Sequence, residues 1–191
     1  MTEGFSPFII GIGGAVREGS TTEQALQVSL AAAEALGART QLFGGEFLAK
    51  LPLYAPEGQA RTPEEQALVA AVRAADGLII GSPAYHGGIS GLVKNAIDLI
   101  EETARDPRPY LDGRAVGLIV SAHGWQATGT ALASMRSIVH ALRGWPTPLG
   151  VTINATGGVF EVDGSVKAPA LGESLATVGR QVIEFARWQR G

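Results

Sequence analysis

Gly77-Leu-Ile-Ile-Gly-Ser-Pro-Ala-Tyr-His-Gly-Gly-Ile-Ser-Gly-Leu-Val-Lys-Asn-Ala-Ile-Asp98 holds a strand, a turn and a helix in one run. Gly77 to Gly81 is apolar, short and bounded by glycine, the mark of a buried strand. Gly91 to Glu102 places Leu92, Ala96, Ile97 and Ile100 on one helical face. Between them lies a glycine-rich strand-to-helix turn. The same unit recurs on either side. Upstream, Pro7-Phe-Ile-Ile-Gly-Ile12 is a strand followed by a helix over Thr21–Leu36, capped by Gly37. Thr40–Phe43 is a weak second strand, Gly44–Thr62 a long loop with Pro52 and Pro56, and Pro63 to about Ala75 a helix with Thr62 as N-cap. Downstream come a strand at Ala115–Val120, a helix at Thr128–Leu142, a strand at Leu149–Ile153, a turn at Asp163-Gly164 and a closing helix at Leu171–Trp188. Short apolar strands alternating with helices predict a parallel sheet covered on both faces, doubly wound by right-handed crossovers. Ligands of such sheets bind outside the carboxyl ends of the strands, so the loops after the first, third and fourth strands are the ones to inspect.

The 191 residues suit one domain, residues 1–191, with no repeat and no linker. Hydrophobic residues at 46% and charged residues at 17% exclude a disordered chain. No cysteine is present, which removes disulfides, thiol nucleophiles, Cys-ligated zinc and iron–sulfur clusters. A net charge of −3 gives neither the basic field of a nucleic-acid binder nor a strongly acidic surface. The apolar runs fall far short of the ~20 residues that span a bilayer, and no targeting signal is visible, so the expectation is a cytoplasmic protein without nucleic-acid or membrane partners. Neither H-x-H nor H-E-x-x-H spacing occurs, which argues against a metal site. No G-x-S-x-G elbow points to a serine hydrolase.

The first loop reads Gly11-Ile-Gly-Gly-Ala-Val-Arg-Glu-Gly-Ser-Thr-Thr-Glu23. A dinucleotide G-x-G-x-x-G fails at Val16, and a Walker A fails because Ser20 stands where its lysine belongs. A glycine-flexible turn with Arg17, Gly19 and the hydroxyls of Ser20, Thr21 and Thr22 at a helix start suits a terminal monophosphate. Ser20-x-x-Glu23 is equally a capping box that needs no ligand. In the loop after the third strand, Pro83 fixes backbone geometry, Gly87, Gly88 and Gly91 admit a flat ligand, and Tyr85 offers an aromatic edge; a plain strand-to-helix turn is the alternative.

S-P-x-Y-x-G-x-x-S-G-x-x-K-N-x-I-D, running from Ser82 to Asp98, resembles the flavin loop of the NAD(P)H-dependent FMN reductase family. Gly14 to Ser20 is similar to that family's G-S-x-R-x-x-S phosphate loop. The resemblance spans most of the chain and weakens after Gly124. It implies a flavodoxin-like fold with a five-stranded parallel sheet in the order 2-1-3-4-5. It implies a bound FMN, NADPH or NADH as co-substrate, and hydride transfer through FMN to a small-molecule electron acceptor such as free flavin or a quinone. By position, the resemblance implies that Arg17, Ser20 and Thr22 hold the FMN phosphate, that Pro83, Ala84, Tyr85 and His86 lie along the isoalloxazine, with Gly87 keeping side chains off its open face, and that Ser121, Ala122, His123 and Gly124 form the third flavin loop. Family members also lead us to expect a homodimer or homotetramer. Ala15 replaces a usual serine and His123 a usual glycine, and the Tyr85–Ser90 segment lacks the extra aromatic of the sulfonate-linked members, which weakens the case for a partner monooxygenase. A flavodoxin-type electron carrier and a non-catalytic flavin-binding sensor stay open as alternatives. Arg105, Arg108 and Arg114 read as solvated loop charge, or as partners of a coenzyme phosphate. His140 reads as structural, Lys94 and Asp98 as an i,i+4 pair, Trp125 as bordering the flavin or a subunit, and Trp145 and Trp188 as core or interface.

Overall fold

A computed structural model describes residues 5–17, 19–57 and 60–190. Its sheet contains β1 (Phe8–Gly13), β2 (Arg39–Phe43), β3 (Gly77–Tyr85), a two-residue β4 (Gly88–Ile89), β5 (Ala115–Ala122) and β6 (Trp145–Asn154). The parallel strands run in the order β2-β1-β3-β5-β6, with β4 hairpinned onto the end of β3. With β4 set aside, this is the expected 2-1-3-4-5 order. The reversal at β1/β3 opens the crevice in which a doubly wound sheet binds its ligand.

The helices are α1 (Thr21–Ala35), a single turn α2 (Gly45–Leu48), α3 (Pro63–Ala74), α4 (Gly91–Asp98) continued by a 3-10 turn (Leu99–Thr103), α5 (Trp125–Ala141) and α6 (Pro169–Trp188). Strand alternation sorts them. Ile10, Ile12, Leu78, Ile80, Val116, Leu118 and Val120 point into one core with residues of α3, α4 and α5. Ile9, Ile79, Ile119, Val151 and Ile153 point into the other, with residues of α1 and α6. Both faces are covered, which is why the central strands read as unbroken apolar runs rather than alternating ones. Thr62 is the N-cap of α3 as expected, and with Glu65 it closes a full capping box.

Four departures from the sequence reading bear on the sheet and the site. β3 does not stop at Gly81. Ser82 and Pro83 go on pairing with β5, and Ala84 and Tyr85 then pair with β4 across a two-residue turn, His86-Gly87. Both turn residues have positive φ, +52° and +82°, as a type I′ hairpin requires. β6 begins at Trp145 rather than Leu149; its Pro146 and Pro148 argue against a strand, but β6 is an edge strand and breaks register between Val116 and Leu118 of its neighbour. Arg136 of α5 donates to the Thr147 and Pro148 carbonyls, both at 3.0 Å, and the Leu149 N–H donates to Gln181 of α6 at 3.1 Å, so the irregular stretch is held from both faces. α5 begins at Trp125 rather than Thr128. The long loop includes the single turn α2.

Candidate flavin site

Three carboxyl-end loops converge. Ala15, Arg17, Ser20, Thr21 and Thr22 after β1, Pro83, Ala84 and Tyr85 on β3, Ser121 and Ala122 at the end of β5 with His123 just beyond, and Ala155 after β6 line a cleft of about 360 Å³. A second hollow of about 550 Å³ shares Ala84, Ala122 and His123 and adds His86, Gly87, Gly124, Gln126, Ala127 and Thr130. Ten of the fourteen residues singled out from the sequence fall in the cleft, and His86, Gly87 and Gly124 fall in the hollow beside it. Gly19 lies in neither; its carbonyl accepts from Gln24. Sequence reasoning missed Ala155, Gln126, Ala127 and Thr130. Ala155 had one signal, its place directly after the last strand. The other three had none, because the sequence start assigned to α5 left two of them outside the helix.

The phosphate end is organised by Ser20. Its Oγ accepts the N–H of Glu23 at 3.2 Å and of Ala15 at 3.3 Å. One contact caps α1; the other closes the β1 loop. A hydroxyl has two lone pairs and one proton, so only the O–H donor of Ser20 is left, and the residue is 4% exposed at the cleft floor. The expected capping box is half formed. The Glu23 carboxylate turns away from the Ser20 backbone and accepts the Gly45 N–H at 2.9 Å. The carboxylate that would repel a phosphate is thus consumed behind the loop. Gly45 itself packs so closely that a Cβ there would lie 1.9 Å from the Ala15 carbonyl oxygen. Arg17 is exposed and makes no hydrogen bond or ion pair with a described residue. Thr22 is buried, and its Oγ1 shares a 2.7 Å hydrogen bond with Ser121 Oγ, tying the first loop to the third.

The motif around β4 divides into parts that build the turn and parts that face the cleft. Ser82 Oγ accepts the Ser90 N–H at 2.9 Å and donates to the Pro83 carbonyl at 2.8 Å. Ser90 Oγ caps α4 through the Val93 N–H. Asn95 accepts the Tyr54 N–H and donates to the Pro52 carbonyl, which straps the long loop to α4. Lys94 and Asp98 form the i,i+4 pair, 2.6 Å and half exposed. Pro83, Ala84 and Tyr85 are what the cleft sees, with Tyr85 56% exposed at its edge. Across from them, Gly124 is the N-cap of α5 and offers no side chain, so the first N–H groups of that helix stay open beside the hollow.

Among the described residues, no carboxylate lines either cavity. Arg17, the Ser20 O–H and the start of α1 suit a phosphate monoester at one end. The flat Pro83–Tyr85 strand and the Ala122–Gly124 backbone suit a planar ring at the other. FMN has that outline, and the residues fit it. A family model, NADPH-dependent FMN reductase, matches residues 7–157. The chain belongs to this family. An FMN-dependent NADPH-azoreductase of Staphylococcus aureus is 35% identical over 92 residues, covering 48% of this chain and 45% of the relative. The chain thus spans about half the length of the curated relatives it matches. Among solved structures, the flavoenzyme NAD(P)H:(acceptor) oxidoreductase FerB from Paracoccus denitrificans superimposes with a TM-score of 0.73 at 20% identity over 96% of this chain and 97% of that one. A flavodoxin, WrbA-like protein from Agrobacterium tumefaciens gives 0.64 at 17% identity, over 96% and 99%. Both show the flavodoxin-like fold.

Two sequence expectations need correction. Arg114 is not solvated: it is 1% exposed. Of the core or interface expected for Trp145 and Trp188, the core is excluded: they are 59% and 74% exposed and flank Phe185. No described helix is long and apolar enough to cross a membrane.

Proposed function

We propose that this chain binds FMN and carries reducing equivalents from NADPH or NADH to a small-molecule acceptor. One observation carries the reading: Arg17, the Ser20 hydroxyl and the Pro83–Tyr85 strand meet in one cleft that no described carboxylate lines. The family match supports it. FMN supplies the two-electron chemistry when bound, while the protein supplies binding, orientation and electrostatics. Arg17 and Ser20 hold the phosphate, Thr22–Ser121 keeps the first and third loops in register, and the hollow lined by Gly87 and Gly124 receives the co-substrate. Azo compounds head the acceptor panel because the sequence relatives carry that name; quinones and free FMN complete it. The test is to purify the protein with FMN, measure NADPH and NADH oxidation with each acceptor, and record the flavin's visible band. Failure to retain FMN overturns the reading. Retention of FMN that no reduced nicotinamide bleaches would make the chain an electron carrier.

The acting form in this proposal is a homodimer. Val16, Tyr85 and Trp125 are large apolar side chains left exposed on the loops around the cleft, at 67%, 56% and 64%. A second copy set over this rim would cover them and wall the hollow.

A further inference from the structure

The amino ends of the strands hold a second charged cavity that the flavin site does not use. Arg73 from α3, with Asp106, Pro107, Arg108 and Arg114 from the segment before β5, lines a hollow of about 340 Å³. Two of its cations resemble ordinary surface chemistry least. Arg114, fully buried, donates from Nε to the Ala75 carbonyl at 2.9 Å, from Nη1 to Tyr110 at 2.8 Å and from Nη2 to Arg73 at 3.1 Å. Arg108 donates to the Asp112 and Gly113 carbonyls at 2.9 Å and, more weakly, to Ala75 at 3.4 Å. Every acceptor is a neutral carbonyl. The nearby carboxylates make no ion pair with either: Asp106 grips Arg73 at 2.7 Å, Asp76 takes Arg190 at 3.1 Å and the Phe8 N–H at 2.9 Å, and Asp112 meets Arg108 only through its backbone carbonyl. No carboxylate of a described residue lies within ion-pair reach of Arg108 or Arg114.

Two guanidinium groups therefore share one carbonyl with no formal counter-charge between them. The carbonyls closing α3 offset part of that charge through the helix dipole. The Arg114 guanidinium is pushed down to about 10, first by burial and then by the charge of Arg108, against the more distant pull of Asp76, Asp112 and Asp106. Each guanidinium has five N–H donors, and three of each are used, so both keep donors for a further ligand. A planar fork with spare donors is the protein's usual grip on an oxyanion.

We infer that this hollow, at the end of the sheet opposite the cofactor, binds a phosphate-class oxyanion between Arg108 and Arg114. Such an anion supplies the direct ion pair that Asp76, Asp106 and Asp112 do not make with these two arginines, and it comes either as free phosphate or as the phosphoryl group of a larger metabolite. It is not the coenzyme phosphate of the proposed reaction. Arg114 precedes β5 and Ser121 nearly ends it, so a strand length of roughly 25 Å at about 3.3 Å per residue separates the two sites.

The experiment uses FMN-loaded protein, so that the Arg17 loop is already occupied. Thermal unfolding is followed while inorganic phosphate, AMP or sodium chloride of matched ionic strength is added. Phosphate should raise Tm saturably, by roughly 2–8 °C at excess ligand, and chloride should not. The increment should vanish in Arg108→Gln, which keeps its FMN. A larger shift with AMP than with phosphate assigns the phosphoryl group of a metabolite; an equal shift assigns the free ion. No increment over chloride overturns the inference, and so does an equal increment in Arg108→Gln. If that variant does not fold, calorimetric titration of phosphate into the FMN-loaded native protein decides. A saturable one-site heat supports the site, and unsaturable heat means an adventitious ion only.

Discussion

Ser20 keeps one proton for a ligand because both its lone pairs serve the loop that holds it, whereas exposed Arg17 makes no hydrogen bond or ion pair with a described residue. The two therefore answer differently to substitution. Arg17→Ala removes a charge-assisted contact worth about 1.5–3 kcal/mol, so FMN affinity should fall roughly ten- to a hundredfold while riboflavin, without a phosphate, is bound almost as before. Titration of the apoprotein by flavin fluorescence compares the two ligands, and equal losses would remove Arg17 from the phosphate site. Glycine at the hollow gives a second, cleaner probe. Gly87 has φ +82°, so any side chain there strains the turn, whereas Gly124 has φ 171° and a Cβ added to it would meet nothing within 4 Å. Gly124→Val should thus fold normally and retain FMN, but slow flavin reduction by NADPH at least tenfold, in keeping with the cost of misplacing reactants. Stopped-flow reduction of the FMN-loaded variant reads this; an unchanged rate would put the nicotinamide elsewhere.

Elements act on the site through contacts that never touch the ligand. The phosphate loop rests on Gly45, the first residue of α2, and Gly45→Ala would drive a methyl group into the Ala15 carbonyl. FMN affinity should drop with this variant even though position 45 lines neither cavity, and a flavin titration beside a circular dichroism spectrum separates loop displacement from unfolding. At the opposite edge, Arg136 satisfies two carbonyls of the irregular start of β6. Arg136→Ala leaves both without their partner, and urea unfolding should show a loss of about 1–3 kcal/mol. These dependences also explain what the sequence could show. β1, α1, β3 and β5 were legible because their apolar periodicity is dictated by burial on two faces. The first four residues of β6 were not: Pro146 and Pro148 carry a strong local signal against a strand, and what overrides it is a pair of side chains from α5 and α6. The three-loop convergence could be anticipated from topology, down to Ser20 and Tyr85. The turn of the Glu23 carboxylate toward Gly45 could not, since it depends on the packing of a glycine twenty-two residues away. Arg114 looked solvated because it follows a Pro- and Arg-rich segment; its burial is set by the exposed carbonyl end of α3.

At the scale of the whole molecule, the sheet separates two kinds of chemistry, with a cavity that no described carboxylate lines at its carboxyl end and an arginine-lined one at its amino end. Assembly belongs to the first. If a second copy covers Val16, Tyr85 and Trp125, light scattering of the FMN-loaded protein at micromolar concentration should give twice the 19.8 kDa chain mass, and Trp125→Glu should return it to the monomer. A monomeric native protein would contradict the proposed dimer. The route by which copies meet is narrowed further by β6. Its outer margin is the exposed flank of the sheet, yet over Trp145–Leu149 two residues are proline without an N–H, the Trp145 N–H is given to the Arg114 carbonyl and the Leu149 N–H to Gln181. A passing strand finds almost no donors to zip onto. Copies of this protein can therefore approach through side chains and loops but cannot lengthen one another's sheet along that half of the margin, and the step that would seed fibril growth there is denied at its first hydrogen bond.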